Sequence, residues 1–151
     1  MSVGPARVER LTEVSTDLFG ALVEESEREG YRFVRRLADE WASGANRFDR
    51  PGEALFAARI DGRLIGACGL NVDPYTKAAG VGRVRHLYVL SAYRRLGVGG
   101  QLVARVMDAA RGRFGRLRLS TQNPEAAQLY ERLGFSRSAG EPDHTHFVEL
   151  Q

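Results

Sequence analysis

The sequence predicts an α/β fold of the α+β kind, in which a mixed, mostly antiparallel central sheet is flanked by four helices. Hydrophobic residues switch between strand and helix spacing along the chain and give the order β-α-α-β-β-β-α-β-α-β-β. Two strand-like runs are separated only by Asp61-Gly62, a dipeptide typical of a two-residue hairpin turn. A glycine-rich turn, residues 94–100, joins an apolar strand to an amphipathic helix. Together these features indicate a sheet with helices packed on it.

Length and composition are those of one domain spanning residues 1–151. Hydrophobic residues make up 43% of the chain, enough to bury a core without disulfides. The net charge of +3 favours an anionic partner, but charges of both signs are mixed along the chain and do not demand nucleic acid. Residues 1–7 lack the apolar core of a signal peptide, and no apolar run approaches a membrane span. With Cys68 as the only cysteine, we expect a cytoplasmic protein without a membrane partner.

The N-terminal part predicts one strand and two helices. Residues 7–11 form the strand, and Ser15-Thr16-Asp17 supplies cap residues for a helix over 18–25 that Gly30 interrupts. A second helical pattern begins at Tyr31 and ends at Ser43-Gly44. A polar loop then leads to the strands of the central sheet.

Three strands are predicted next. Residues 54–60 and 63–72 form the hairpin, and a turn region from Asp73 to Gly82 precedes a third strand at 84–89. We expect these strands to be antiparallel to one another, connected by a two-residue turn and by the Asp73–Gly82 turn region. The third strand leads into the glycine-rich turn.

The C-terminal part alternates helices and short strands. Apolar residues at helical spacing up to Ala110 predict a helix that begins near Gly99. A strand at 117–120 follows, and Asn123-Pro124-Glu125 is a strong helix start, with an N-cap residue and a proline at the first helical position. Two closing strands are predicted at 135–138 and 146–150.

The glycine-rich turn, Arg94–Gly100, is predicted to bind an anion. A turn that feeds a helix N-terminus leaves backbone N–H groups unpaired, and the positive end of the helix dipole lies behind them. Gly97 and Gly99 remove side chains that would block a ligand. The Gly-Lys-Ser/Thr tail of a Walker loop is missing, and Leu102 stands where a Rossmann motif has its third glycine. A phosphate-bearing ligand of another type is therefore expected.

Two segments resemble the signatures of the GCN5-related N-acetyltransferase (GNAT) superfamily. Arg94-x-x-Gly97-x-Gly99 resembles the family's pyrophosphate signature, and residues 123–135 resemble its Asn-x-x-Ala-x-x-x-Tyr-x-x-x-Gly-Phe segment. The element order also matches the family layout over essentially the whole chain. The resemblance implies that strands four and five run parallel and then splay apart, so that the pantetheine arm of acetyl-CoA, the cosubstrate, lies between them.

The resemblance also implies which residues bind the cofactor. Two residues on strand four would contact the pantetheine arm through the backbone, six in the turn would hold the pyrophosphate, and two would lie near the sulfur. In that order they are Leu87 and Val89; Arg94, Leu96, Gly97, Val98, Gly99 and Gly100; and Asn123 and Tyr130.

Tyr130 is the predicted catalytic residue. In the implied reaction an amine attacks the thioester directly, so the protein has to polarise the carbonyl and protonate the departing thiolate. A tyrosine phenol is a proton donor at neutral pH. The alternative is that Tyr130 is only an aromatic packed between helix and sheet.

The general base is not identified by the sequence. Some family members carry a glutamate on strand four, but the aligned residue here is Arg83, which cannot be a base. Glu53, Asp73, His86 or a water molecule could replace it. Strand alternation puts His86 on the face opposite Leu87, so a hydrogen-bonded core histidine or a surface histidine is the favoured interpretation.

No metal site is predicted. His144 and His146 would share one face of a strand, but a competent site needs three or four ligands, so we interpret them as surface histidines. Cys68 lies in an apolar strand and is expected to be a core residue rather than a nucleophile.

The resemblance therefore implies an acetyl-CoA-dependent N-acetyltransferase, an acyltransferase of groups other than aminoacyl groups, acting on a primary amine of a small molecule or peptide. The alternative is a CoA-binding sensor or regulatory domain without turnover, which the missing glutamate keeps open. A nucleic-acid-binding module ranks third because the chain has neither a helix-turn-helix pattern nor an aromatic-studded basic sheet. A homodimer stays open as an assembly, and the acceptor amine is not specified.

Overall fold

A computed structural model of the protein describes residues 4–15 and 17–150. Within these residues it has seven strands, four α-helices and one 3₁₀ turn. In chain order they are β1 (Arg7–Arg10), α1 (Gly20–Arg28), α2 (Phe33–Ser43), β2 (Ala54–Ile60), β3 (Arg63–Val72), β4 (Val81–Val89), the 3₁₀ turn (Ser91–Tyr93), α3 (Val98–Ala110), β5 (Arg116–Leu119), α4 (Pro124–Arg132), β6 (Ser136–Arg137) and β7 (His146–Glu149).

The predicted mixed sheet is confirmed. Its strand order is β1-β2-β3-β4-β5-β7-β6, in which β4 and β5 are parallel and every other neighbouring pair is antiparallel. A Cβ added to Gly66 would meet Leu102 of α3, whereas one added to Gly69 would meet Phe48 in the loop after α2. The two glycines face opposite sides of β3, so α3 lies on one face of the sheet and the α2 segment on the other.

The start of α1 differs from the prediction. The helix begins at Gly20, and no side chain caps it. Ser15 Oγ donates instead to the carboxylate of Asp17 at 3.2 Å, and the Gly20 amide donates to the Asp17 carbonyl at 3.0 Å. These local bonds form a turn in place of a cap, as short polar side chains often do. Thr16, the remaining member of the predicted cap, lies outside the described residues.

The other element boundaries are close to those predicted, with β6 as the main exception. The hairpin β2–β3 has the predicted limits, and Asn123 caps α4 by accepting from the amides of Glu125 and Ala126. The strand predicted at 135–138 is reduced to Ser136–Arg137, because the Phe135 amide donates to the Tyr130 carbonyl at the end of α4. Cys68 is fully buried in β3, as expected.

Strand β4 contains a bulge at His86. Arg85 pairs with Gly69 and Tyr88 with Ala67, so two residues of β4 stand opposite Cys68 alone. His86 adopts a φ of 63°, in the left-handed region that side-chain-bearing residues rarely occupy. The bulge redirects the end of β4 just before the glycine-rich turn.

Candidate active site

A wedge opens between β4 and β5. The two strands pair in parallel register from Val81↔Arg116 to Arg83↔Arg118, and the pairing ends there although β4 continues to Val89. On its β5 side, the outer half of β4 therefore faces the wedge rather than a strand. The splay that the resemblance implied is present in the structure.

The glycine-rich turn stands at the open end of this wedge. The first hydrogen bond within α3 runs from the Gln101 amide to the Gly97 carbonyl, and no side chain caps the helix. The amides of Val98, Gly99 and Gly100 thus have no acceptor among the described residues. Three free N–H groups and the positive helix end make this a site suited to an anion.

The two glycines of the signature have different roles. Gly97 has a φ of 80° and is the N-cap of α3, and a Cβ there would meet nothing within 4 Å among the described residues. A glycine is needed at this position because the backbone is left-handed there. A Cβ at Gly99 would lie 3.1 Å from Leu129 Cδ2, so this glycine lets α3 and α4 approach each other. Both effects maintain the backbone arrangement that leaves the three amides unpaired.

The Arg94 side chain points to α1. Its guanidinium binds the Glu29 carboxylate at 2.8 Å and 3.0 Å, and its Nε donates to the Val89 carbonyl at 2.8 Å. It also lies 5.2 Å from the centre of the Tyr88 ring. The hydrogen bond to Glu29 raises the pKa of Arg94, although burial opposes this. Arg94 thus fixes the turn to α1, and a phosphate would compete with Glu29 for it.

The remaining predicted cofactor residues lie in the turn, on the outer half of β4 and at the start of α4. Leu96 is half-exposed at the tip of the turn. Leu87 lies beyond the last β4–β5 pair, where its backbone faces the wedge region. Asn123 uses its carbonyl oxygen to cap α4, and its Nδ2 donates to the Tyr31 hydroxyl at 3.3 Å. Asn123 would have to exchange this last contact to bind a ligand.

Tyr130 is buried on α4 beside the wedge. Its ring lies 5.6 Å from that of Phe135 and 6.4 Å from that of His146. The hydroxyl makes no hydrogen bond to a described residue. Burial, and the charge that the nearby Cys68 would carry as a thiolate, raise the pKa of Tyr130 well above its usual value. The phenol therefore remains protonated and free to donate.

Asp73, one candidate base, belongs to a buried ion cluster. Its Oδ2 accepts from Arg118 Nε at 2.8 Å and from Arg83 Nη1 at 3.2 Å, and its Oδ1 accepts from the Tyr75 amide. Burial alone would raise the pKa of Asp73, but the Arg118 and Tyr75 hydrogen bonds and the Arg83 charge outweigh it and hold the pKa below its usual value. A carboxylate held in this way is a poor proton acceptor.

The other candidate bases are also constrained. Both carboxylate oxygens of Glu53 accept backbone amides, from Arg50 at 3.2 Å and from Val72 at 2.9 Å. His86 is 9% exposed, and its Nε2 is buried without a partner among the described residues, which corrects the expectation of a hydrogen-bonded core histidine. Burial, and the charges of Arg85 and Arg36, lower the pKa of His86 to about 3.

The two histidines near the C-terminus are buried, contrary to the surface interpretation. His144 contacts Asp143 at 2.8 Å and Arg118 at 3.2 Å, and His146 contacts Glu131 at 2.8 Å. Within residues 4–15 and 17–150, no group of three or more His, Cys, Asp or Glu side chains could hold a metal. These histidines act as hydrogen-bonding groups of the β5–β7 region.

A cavity of about 420 Å³ lies between the start of α4 and the segment that joins β6 to β7. Its lining includes Asn123 and His144 but, of the described chain, no residue of the glycine-rich turn. The volume suits a small ligand. The cavity is nevertheless separate from the amides predicted to hold a pyrophosphate.

Sequence reasoning missed two aromatic rings that pack on His86 and one buried carboxylate oxygen on α2. Phe33 stacks on the His86 ring at 6.4 Å, and Phe48 meets it edge-on at 6.2 Å. Glu40, two helical turns after Phe33, has a buried Oε1 without a partner in the described chain. The helical position of Phe33 was visible in the sequence, but nothing indicated that its ring packs on β4.

The protein is similar to known acetyltransferases along most of its length. Residues 16–135 match the family model described as the acetyltransferase (GNAT) family. A protein from Exiguobacterium sp. 255-15, provisionally named as an acetyltransferase, is 27% identical, with a TM-score of 0.84 and coverage of 96% of this chain and 93% of the other.

Two further structures share the fold at lower identity. A GCN5-related N-acetyltransferase from Kribbella flavida is 20% identical, with a TM-score of 0.75 and coverage of 96% and 98%. A GNAT-family acetyltransferase from Staphylococcus aureus Mu50 is 14% identical, with a TM-score of 0.76 and coverage of 97% and 100%. Among the described helices, none has the length and apolar character needed to cross a membrane.

Proposed function

Because the chain belongs to the acetyltransferase (GNAT) family, we propose that residues 1–151 act as one domain that transfers an acetyl group from acetyl-CoA to a primary amine of a small molecule or peptide. The observation that carries this proposal is the β4–β5 wedge with three free amides at its mouth. A pyrophosphate bound to those amides would direct the pantetheine arm into the wedge, toward Leu87 and Tyr130. We place the protein in the cytoplasm as part of this proposal.

The chain's own residues would act on the thioester in three ways. The outer half of β4 offers backbone groups to the pantetheine arm, and Leu87 lies beside the bulge that turns the strand. The Tyr130 hydroxyl would donate a hydrogen bond to the sulfur as negative charge develops there. Direct attack by the amine then forms the amide N–C bond and breaks the C–S bond, and the amine proton leaves to solvent.

Removal of the amine proton is proposed to need no protein base. The carboxylate oxygens of Asp73 and Glu53 are engaged by hydrogen bonds, and burial with the charges of Arg85 and Arg36 lowers the pKa of His86 to about 3. The amine would instead react as its neutral form, delivered from solvent. The sensor alternative shares the cofactor site and differs only in turnover.

Cofactor binding can be tested with two matched glycine substitutions. Gly97 and Gly112 have φ values of 80° and 81°, and a Cβ at either meets nothing within 4 Å among the described residues. Gly97→Ala should weaken acetyl-CoA binding by roughly ten- to a hundredfold, or about 1–3 kcal/mol, because strain displaces the amides that would hold the pyrophosphate. Calorimetric titration gives the dissociation constants.

Gly112→Ala is the control because it imposes similar backbone strain at the far end of α3. It should leave the acetyl-CoA dissociation constant within about twofold of the wild-type value. Equal affinity of wild type and both variants would exclude the glycine-rich turn as the cofactor site. Tight binding without thiol release for any amine would favour the sensor.

The pH dependence of turnover tests the proposed absence of a protein base. With a peptide α-amino acceptor, whose pKa is about 8, kcat/KM should rise to a plateau at lower pH than with a lysine ε-amino acceptor, whose pKa is about 10.4. His86→Phe and Glu53→Gln should leave both midpoints in place. A midpoint common to both acceptors, or one that either substitution removes, would identify a protein base instead.

A further inference from the structure

The cavity between the start of α4 and the β6–β7 segment, the α4–β7 cavity, has a volume of about 420 Å³. Most of its lining residues have polar side chains, among them Asn123, Arg137, Glu141, His144 and His146. Asn123 is also one of the predicted cofactor residues, and the His146 ring lies 6.4 Å from that of Tyr130. The α4–β7 cavity therefore borders the place predicted for the thioester sulfur.

His144 presents a hydrogen-bond acceptor to this cavity. The residue is 7% exposed, and its Nδ1 lies 2.8 Å from Asp143 Oδ1 and 3.2 Å from Arg118 Nη1. Because a carboxylate can only accept, we assign the ring proton to Nδ1, which donates it to Asp143 at the shorter distance. The longer Arg118 contact is then not a hydrogen bond. Nε2 is left with a lone pair and no partner in the described chain.

The His144 lone pair is open to a ligand. Three side-chain atoms of the described chain are both enclosed and without a partner, namely Glu40 Oε1, His86 Nε2 and Ser138 Oγ. His144 Nε2 is not one of these enclosed atoms, so it is reached from the cavity that the residue lines. His146 offers no second acceptor, because its Nδ1 accepts from Thr145 Oγ1 at 2.9 Å and its Nε2 donates to Glu131 Oε2 at 2.8 Å.

One negative charge of the cavity has no opposite charge beside it. Arg137 and Glu141 are the lining residues that carry a full charge, and the Arg137 guanidinium is offset by Glu131 at 3.0 Å. The nearby Arg118 is likewise offset by the two aspartates that it contacts. Glu141 is exposed, and no Lys, Arg or His nitrogen within the described residues lies within 4 Å of its carboxylate. A lone pair and an unpaired carboxylate together suit an ammonium group, which only donates hydrogen bonds.

We infer that the α4–β7 cavity binds an ammonium group of the acceptor other than the amine that reacts, so that the preferred acceptor is a diamine. Glu141 and His144 Nε2 accept hydrogen bonds from this ammonium group. The carbon chain extends past Asn123 and places the other amine, in its neutral form, beside the thioester. An ammonium group held by a carboxylate stays protonated and unreactive, which is why two amines are needed. The inference rests on the proposed acetyl transfer and adds the class of its acceptor.

Binding is measured by calorimetry with the protein saturated by CoA, so that the result does not depend on turnover. The probes are putrescine, an aliphatic diamine, and tetramethylene glycol, in which hydroxyl groups replace both amines of the same carbon chain. We expect putrescine to bind roughly tenfold or more tightly than the glycol, as charge-assisted hydrogen bonds allow.

Glu141→Gln should reduce that affinity ratio by about threefold or more, because one of the two acceptors loses its charge. The ratio cancels any general loss of folded protein. Glu24→Gln is the matched control, since Glu24 is also exposed and makes no ion pair in the part of the chain that the structure describes, but lies on α1. It should leave the ratio unchanged.

Turnover tests the need for a second amine. We expect kcat/KM for putrescine to exceed that for butylamine, which has one amine on the same carbon chain, by roughly tenfold or more. Glu141→Gln should lower the value for putrescine and leave that for butylamine in place, because butylamine that reacts leaves the cavity without an ammonium group.

Three results would overturn the inference. The first is equal affinity for putrescine and the glycol, including no measurable binding of either, and the second is a preference that Glu141→Gln leaves unchanged. The third is equal kcat/KM for putrescine and butylamine, in which case the protein keeps its proposed function and loses only this specificity. Failure of the proposed function has a different signature, since Gly97→Ala and wild type would then bind acetyl-CoA equally.

Discussion

Tyr130→Phe is expected to lower kcat by roughly ten- to a thousandfold, with little change in acetyl-CoA affinity. The substitution deletes the hydroxyl and keeps the ring that packs on Phe135 and His146. Since no described residue accepts a hydrogen bond from that hydroxyl, its loss should change the free energy of unfolding by less than about 1 kcal/mol. The measurement is kcat by free-thiol detection, with the dissociation constant by calorimetry.

The size of this effect depends on how the proton moves. With ordinary pKa values near 10 for a phenol and about 8.5 for a thiol, complete transfer to the thiolate is unfavourable by about 2 kcal/mol, and the raised pKa of Tyr130 increases that difference. The phenol therefore acts mainly by donating a hydrogen bond to the developing charge. Tyr93→Phe, which removes a hydroxyl from a ring packed near Arg63, is the control. A wild-type rate for Tyr130→Phe across the pH range would reduce Tyr130 to a packing residue.

Asp73→Asn should destabilise the fold by about 3–5 kcal/mol, the usual consequence of leaving a buried charge without its partner. The Asp73 side chain is fully buried, and those of Arg83 and Arg118 are 7% and 10% exposed, so the substitution leaves two guanidinium groups without their shared carboxylate. Urea denaturation followed by circular dichroism gives the free energy of unfolding. Glu9→Gln, which breaks an exposed pair with Arg59, should change it by less than about 1 kcal/mol.

The same cluster predicts a pH dependence of stability. The pKa of Asp73 is lower in the folded than in the unfolded protein, so its contribution is fully present above its unfolded pKa, about 3.9, and is lost as the pH falls through the folded value. Wild-type stability should therefore decline below about pH 4, and Asp73→Asn should decline less steeply there. Equal slopes for the two proteins would mean that Asp73 does not couple folding to protons.

The sequence predicted best those elements whose signals are local. Asp61-Gly62 fixes the hairpin turn, and Asn123 with Pro124 fixes the start of α4, because each pattern satisfies its own backbone. The predicted cap of α1 was wrong because local bonding took another form: Ser15 and Asp17 bond to each other rather than to helix amides. Local chemistry decided all three cases.

The candidate site was predictable only in part, because its contacts join distant segments. The glycine-rich turn was visible in the sequence, but the ion pair of Arg94 with Glu29 joins residues that lie 65 positions apart. Asp73 was one of the candidate bases in the sequence. Its ion pairs with Arg83 and Arg118 depend on the pairing of β4 with β5, which the sequence does not show. Strand alternation does not reveal the bulge in β4, which adds one residue and places the His86 ring against Phe33.

The β4–β5 wedge is closed at one end by three paired positions, so its width depends on the angle between the two strands at that end. The Asp73 cluster lies at this closed end, since Arg83 and Arg118 form the last registered pair. From Arg83 to Val89, β4 extends about 20 Å at about 3.3 Å per residue. A change of about 3° in the angle between β4 and β5 would therefore change the width of the open end of the wedge by roughly 1 Å, a displacement large enough to alter how a thioester is positioned.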